Sequence, residues 1–213
     1  MERGSAWFRT MGNEKSPGNF LCGISGHVER PGVYEVPLGI PASQILDEYA
    51  GGIWMGRKLK AWIPGGSSTG FLTPEHIDTP MDHDSLKAVG SMFGTGAMIM
   101  LDETASVVRS AKVLMDFYEH ESCGQCSQCR EGTQWLSQIF ERIHDGHGRM
   151  EDIQLLEDLA NGMAPGKTIC ALSDAAAIPT HSVIRNFRHE LEEYVREGGH
   201  PDLRGKNLQG AGA

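Results

Sequence analysis

The chain has 213 residues, of which 19 are Lys or Arg and 28 are Asp or Glu, so its formal net charge is −9 at pH 7. This acidic balance, without a block of clustered basic residues, disfavours nucleic-acid binding, because neutralising phosphates requires a concentrated basic surface. The longest apolar runs, such as residues 98–101, are far shorter than the ~20 residues that cross a bilayer. We therefore expect no nucleic-acid partner and no direct membrane insertion.

The predicted elements of the first half are short strands and turns, from residue 19 to residue 103. Four strands are predicted, at residues 22–28, 33–36, 59–63 and 97–101. The turn signal Pro31-Gly32 predicts that the first two form a hairpin. Apolar residues at helical spacing predict one helix over residues 41–49. This order predicts a small α+β domain in which one helix packs across a sheet.

Two features of this half are predicted to be structural. The loop at residues 65–70 is rich in glycine, but no lysine follows it, and it matches neither a P-loop nor a G-x-G-x-x-G pattern. We therefore expect a turn there and no dinucleotide-binding fingerprint in these 213 residues. Cys22 lies in an apolar strand, where a cysteine is predicted to be a buried small hydrophobe.

The second half, from Thr104 onward, has helical periodicity. Four helices are predicted, at residues 107–120, 130–144 and 151–161 and from about Pro179 to Val195. Each carries an apolar stripe, and Pro179 suits the first turn of a helix. Four helices with short links predict a bundle, and the tail after Gly198 is expected to fray.

Four of the five cysteines form an iron–sulfur pattern. Cys123, Cys126 and Cys129 are spaced by three on one loop, and Cys170 lies in a later link that emerges at the same end of an up-down bundle. Three closely spaced thiolates can each meet a different iron of a cubane, and a distant fourth can close the last corner. A zinc site, which usually takes two ligands from each of two knuckles, and unrelated thiols are the alternatives.

The surroundings of these cysteines suggest how their charge is offset and where the chain resides. Arg130, Lys167 and the helix starts nearby are candidates to balance a cluster charge of about −2 to −3, unless both side chains are simply solvated. An odd cysteine count argues against a disulfide framework. The first residues show no signal or transit peptide. We therefore expect a reducing, cytoplasmic compartment.

Several longer stretches resemble the family of flavoprotein subunits, designated F, of NADH:quinone oxidoreductase, which is respiratory complex I. They lie at residues 121–132, 168–172 and 174–176, and earlier at residues 25–36, 50–52 and 63–69. The resemblance covers about residues 3–196, and related diaphorase subunits of hydrogenases and formate dehydrogenases share much of it. Gln128 and Ile178 depart from the proline and tryptophan that the family often has.

The resemblance implies a fold and a division of the chain into four segments. It implies an α+β chain in which a small β-grasp, ubiquitin-like domain is followed by a four-helix bundle that carries an iron–sulfur cluster. The expected divisions are a lead-in at 1–18, the β-grasp domain at 19–103, the helical domain at 104–198 and a flexible tail at 199–213. The cluster ligands implied by the resemblance are Cys123, Cys126, Cys129 and Cys170.

The resemblance also implies an activity. The [4Fe–4S] cluster would take single electrons from reduced FMN and pass them to a thioredoxin-like 2Fe–2S subunit and a large iron–sulfur subunit, in the peripheral arm of a membrane-bound complex. FMN and NADH are expected on another domain, supplied in cis or in trans, so the isolated chain is expected to be an inactive part of an NADH dehydrogenase. The alternatives are a diaphorase of an NAD-linked hydrogenase or formate dehydrogenase, and a non-redox module stapled by a metal.

Overall fold

The structure, a computed structural model, describes residues 2–163 and 165–203. Most of the predicted flexible tail, residues 204–213, lies outside these described residues. The chain divides into two compact units, Met1–Ala105 and Ser106–Ala213. Strands occur only in the first unit of the described chain and long helices only in the second, which confirms the α+β class. No helix within the described residues is long and apolar enough to cross a membrane.

The first unit is a four-stranded mixed sheet with short helices. Its elements are α1 (Gly4–Phe8), β1 (Asn19–Gly26), β2 (Gly32–Pro37), α2 (Ala42–Gln44), β3 (Leu59–Ile63), α3 (His83–Ala88) and β4 (Ala97–Asp102). The sheet order is β2-β1-β4-β3. Strands β1 and β2 are antiparallel, which confirms the hairpin, β1 and β4 are parallel, and β3 and β4 are antiparallel.

The helix predicted over residues 41–49 is only partly α-helical. After α2 the backbone continues as a π-helical segment, Ile45–Tyr49, in which the N–H group of Ala50 donates to the carbonyl of Ile45 at 3.1 Å. The wider turn still places Ile45 and Leu46 in the core. Apolar spacing therefore identified the buried face correctly, although it could not distinguish the two helix types.

Cys22 is fully buried in the core of this unit, as the sequence predicts. It lies on β1 beside Ile24, and the core also contains Trp62, Met98 and Met100. Burial raises the pKa of the Cys22 thiol to about 12 from its usual 9.0, because the thiolate would lose its hydration. The thiol therefore stays protonated and is a poor nucleophile in the folded protein at neutral pH.

The raised pKa of Cys22 predicts a loss of stability at high pH. The unfolded chain ionises this thiol near pH 9 and the folded chain only near pH 12. The contribution of the neutral thiol to the free energy of unfolding is therefore fully present below pH 9 and falls as the pH rises towards 12. We expect Cys22→Ala to reduce the alkaline fall in the first unit's free energy of unfolding, measured by urea denaturation across this range. An equal fall in both proteins would contradict the assignment.

The second unit contains four long helices, which pack against one another. They are α4 (Val107–Glu121), α5 (Ser127–His144), α6 (Met150–Met163) and α7 (Leu172–Glu197). The predicted start of the fourth helix near Pro179 is wrong, because α7 begins at Leu172 and Pro179 lies buried inside it. Burial of the alanines before Pro179 offsets the one backbone hydrogen bond that a proline cannot donate. Helix α6 likewise continues past Gly162.

Polar contacts join α4 and α7 at the end remote from the cysteines. The buried carboxylate of Glu190 on α7 accepts from the backbone N–H of Val107 at 2.8 Å. The hydroxyl of Tyr194 donates to Ser106 Oγ at 2.6 Å, and Ser106 itself caps α4 through the N–H of Arg109. The N–H groups at the start of α4 are thus satisfied partly by a carboxylate on α7 and partly by the helix's own cap, and these bonds connect α4 to α7.

Candidate metal centre

Three cysteines lie where α4 ends and α5 begins. Helix α4 stops at Glu121, and Ser122 after it is extended, so Cys123 falls in the link between the helices. Cys126 is the N-cap of α5, with an extended backbone, and Cys129 lies in the first turn. Gly124 supplies the left-handed turn between them, with a φ of +76° that side-chain-bearing residues rarely adopt. Cys129 is buried, Cys126 half-buried and Cys123 exposed.

The fourth cysteine lies on the link between α6 and α7. Cys170 is exposed and directly precedes Ala171, the N-cap of α7. One contact joins this link to the cysteine loop: the backbone N–H of Ile169 donates to Cys126 Sγ at 3.4 Å. The structure therefore brings the two segments together at one end of the helical unit, although 43 positions separate the bonded residues.

Two of the cysteine sulfurs at this end, those of Cys126 and Cys129, take part in hydrogen bonds. All five cysteines are free thiols, and Ser122 Oγ lies 3.4 Å from Cys129 Sγ. Across residues 2–163 and 165–203, no three Cys, His, Asp or Glu side chains stand close enough to hold a single metal ion. A cubane takes one thiolate on each of four irons, so its ligands need not converge on one point.

The donor set fits an iron–sulfur cluster on three counts. Thiolates are the ligands that such clusters require, and these four lie on two segments that touch. Helices α5 and α7 both begin at these segments, and neither N-cap side chain accepts a hydrogen bond from its own helix. The partial positive charge at the two helix starts favours an anionic group, and a thiolate-held cluster is anionic.

Sequence reasoning missed the groups that contact the cysteine sulfurs. The backbone N–H of Ile169 had no detectable signal, since any residue could supply it. Ser122 could have been noticed as a hydroxyl one residue before Cys123. Both basic residues named from the sequence, Lys167 and Arg130, are exposed. The guanidinium of Arg130 nevertheless donates to the carbonyl of Gly124 in the cysteine loop.

A close contact between α5 and α6 lies three residues after Cys129. A Cβ atom on Gly132 of α5 would stand 2.6 Å from the sulfur and 2.9 Å from Cγ of Met163, which is buried at the end of α6. The carbonyl of Met163 in turn accepts from Ser173 Oγ at 2.7 Å. Gly132 therefore allows α5 and α6 to approach closely and connects them to the start of α7.

We expect Gly132→Val to destabilise the helical unit by roughly 1–3 kcal/mol, the usual cost of overpacking a filled core. The matched control is Gly162→Val on α6, where nothing lies within 4 Å of the added Cβ, so only small propensity effects are expected. Urea unfolding followed by far-ultraviolet circular dichroism measures both variants. Equal midpoints for the two would show that the side chain of Met163 makes room for the added atoms without cost.

Part of the helical unit is similar to a known family. Residues 109–194 match the family model described as the NADH-ubiquinone oxidoreductase-F iron–sulfur binding region. The chain is 52% identical over 198 residues to the F subunit of NADH-quinone oxidoreductase from Mycobacterium tuberculosis (strain H37Rv). It is 39% identical over 197 residues to the corresponding protein of Escherichia coli (strain K12).

The similarity covers most of this chain but less than half of those relatives. It includes 93% of the chain and 44% of the M. tuberculosis protein, and 92% and 44% for the E. coli protein. The fold is also similar to a chain of the NAD+-reducing [NiFe]-hydrogenase in the H2-reduced state. That match has a TM-score of 0.79 and 28% identity, and it covers 92% of this chain and 32% of the other.

Proposed function

We propose that a [4Fe–4S] cluster is held by four ligands, Cys123, Cys126, Cys129 and Cys170. The premise is that residues 109–194 match the family of the NADH-ubiquinone oxidoreductase-F iron–sulfur binding region. The observation that carries this assignment is the hydrogen bond from the Ile169 N–H to Cys126 Sγ. It joins the segment that contains three of the cysteines to the one that contains the fourth. When bound, such a cluster accepts and donates one electron at a time.

The residues of the chain suit electron transfer at a surface. Cys129 is buried in the first turn of α5, whereas Cys123 and Cys170 are exposed. A group held by these four side chains would be shielded on the helical side and accessible from outside. Electrons can then enter and leave without a large conformational change.

We infer that the chain is the electron-transfer portion of the NADH-oxidising flavoprotein of a respiratory NADH:quinone oxidoreductase. It would receive single electrons from FMN bound on another domain and pass them to a thioredoxin-like 2Fe–2S subunit and a large iron–sulfur subunit. Its place would be cytoplasmic, in the peripheral arm of the complex. The 52% identity to the M. tuberculosis protein supports this proposal.

We also infer the finer architecture. The mixed sheet of order β2-β1-β4-β3 supports a β-grasp domain at residues 19–103, after a lead-in at 1–18. The four long helices support a four-helix bundle at residues 104–198, followed by a tail from residue 199. The first unit contains none of the proposed ligands, so we assign it a structural or partner-binding role.

A second candidate function is the same module in an NAD-linked diaphorase. The fold similarity to an NAD+-reducing hydrogenase favours it, although the identity of 28% is lower than that to the respiratory proteins. Formate dehydrogenase diaphorases belong to the same alternative. A third candidate is a module without redox activity, whose bound metal only stabilises the fold. This candidate predicts that the metal-bound protein exchanges no electrons.

An electron count tests the proposed function. The anaerobically reconstituted chain is reduced with dithionite, freed of excess reductant and titrated with ferricyanide, a one-electron oxidant. We expect about one electron per chain, because one [4Fe–4S] cluster cycles between two oxidation states. The reconstituted Cys126→Ser variant is the matched control. No measurable reoxidation of the loaded chain would contradict the proposal and support the metal-stapled reading.

A further inference from the structure

One charged side chain outside the ligand set lies across the cysteine loop. Arg130 follows Cys129 in α5, and its Nη1 donates to the carbonyl of Gly124 at 2.8 Å. Its Nε donates to Glu131 Oε1, also at 2.8 Å. A Cβ on Gly124 would stand 3.7 Å from Arg130 Cδ. The arginine therefore lies against Gly124, in the loop between Cys123 and Cys126.

We propose that Arg130 is a positioning residue for this loop and that its charge, opposed by Glu131, raises the reduction potential of the cluster. The inference rests on the proposed function, since it needs a cluster held by these cysteines. The positioning part follows from the geometry. Hydrogen bonds from a guanidinium to a carbonyl are charge-assisted and stronger than neutral ones, and this one fixes a loop that contains a left-handed glycine.

The effect on potential follows from charge. A cluster with four thiolates carries about −2 to −3 charges, and adding one electron makes it more negative by one unit. A guanidinium beside the loop favours the reduced form and so raises the potential, because Arg stays protonated in proteins. The Glu131 carboxylate acts in the opposite direction. Both side chains are close to half exposed, at 49% and 43%, so water and salt weaken both effects.

The test is an anaerobic redox titration of the reconstituted chain, in which dithionite supplies the electron and paramagnetic resonance measures the reduced cluster. Arg130→Gln removes the charge, Arg130→Lys keeps the charge but not the two-donor fork, and Glu131→Gln removes the opposing charge. Arg188→Gln is the matched control. Arg188 is an exposed, ion-paired arginine on α7, roughly 24 Å along the helix from the end that carries Cys170.

We expect Arg130→Gln to lower the midpoint potential, Glu131→Gln to raise it, and Arg130→Lys and Arg188→Gln to stay near the unaltered chain. Both Arg130 variants should also retain less iron after gel filtration than Arg188→Gln, because the loop is less well fixed. If Arg130→Gln retains no cluster, the positioning role is supported, and Arg130→Lys and Glu131→Gln decide the role of charge.

Three results would overturn the inference while leaving the cluster in place. They are equal midpoints in Arg130→Gln and the unaltered chain, a shift in Arg130→Lys as large as that in Arg130→Gln, and a lowered midpoint in Glu131→Gln. The proposed function fails differently. In that case the unaltered chain itself would retain neither iron nor sulfide, whatever stands at position 130.

Discussion

Cys126→Ser should remove most of the iron from the reconstituted chain, whereas Cys22→Ser should leave the iron content unchanged. Cys126 is the N-cap of α5 and accepts the hydrogen bond from Ile169 that joins the two ligand segments. Removing a residue that merely supports a ligand typically costs 10–100-fold in metal affinity, so we expect loss of a ligand to cost at least about tenfold.

Cys22→Ser is a matched control because it makes the same substitution at a cysteine outside the proposed ligand set. It is fully buried in the first unit, and burial raises the pKa of its thiol to about 12, so it supplies no thiolate near neutral pH. Iron and acid-labile sulfide are measured after anaerobic reconstitution and gel filtration. Similar iron contents in the two variants would refute the assignment of ligands.

Asp102→Ala should destabilise the first unit by roughly 2–3 kcal/mol, because it leaves the hydrogen-bond donors around a buried site without their acceptor. The side chain of Asp102 is fully buried at the end of β4. It accepts from Trp54 Nε1 at 2.8 Å, from Arg57 Nη1 at 3.0 Å and from the hydroxyl of Thr104 at 2.7 Å. Without the carboxylate these donors lose their acceptor.

The loss should depend on pH in a defined direction. Burial acts to raise the pKa of Asp102, but the hydrogen bonds from Thr104, Trp54 and Arg57 outweigh it and hold the pKa well below its usual range. A carboxyl group whose pKa is lowered by folding stabilises the folded chain at pH values above its ordinary pKa of about 3.9. This stabilisation is lost as the pH falls towards the pKa of the group in the folded chain. The difference between Asp102→Ala and the unaltered chain should therefore shrink below about pH 4.

Asp84→Ala is the matched control for Asp102→Ala. Asp84 belongs to the same unit, but its side chain is 73% exposed and its ion pair with Lys15 is long, at 3.6 Å. Exposed pairs of this kind contribute little, so we expect no measurable change. Hydrogen exchange at β3 and β4 reports the stability of the first unit separately from the helices. Equal exchange rates in both variants would show that the Asp102 network is dispensable.

Periodicity and turn signals identified most of the fold because they report which faces are buried. They located all four strands, the hairpin between β1 and β2, and the apolar faces of α4 to α7. They failed where two principles compete. Pro179 suits a first turn, yet it lies inside α7, since the buried residues before it favour a longer helix. A single sequence does not show whether the preference of proline for the first turn or the burial of the residues before it decides where the helix begins.

The candidate site was predictable as a set of cysteines but not as a geometry. The spacing of Cys123, Cys126 and Cys129 points to a cluster because each thiolate can meet a different iron. The Ile169 contact uses a backbone group, which no side-chain pattern encodes. The same holds for the Gly124 carbonyl that binds Arg130. Distances between distant segments arise only once packing, as at Gly132 and Met163, has fixed the helices.

The most direct test is the composition of the unaltered chain after anaerobic reconstitution with iron and sulfide. We predict about four irons and about four acid-labile sulfides per chain, the complement of one cubane, and a paramagnetic signal of one unpaired electron after dithionite reduction. A chain that instead retains about one zinc ion, with no sulfide and no such signal, would contradict the account.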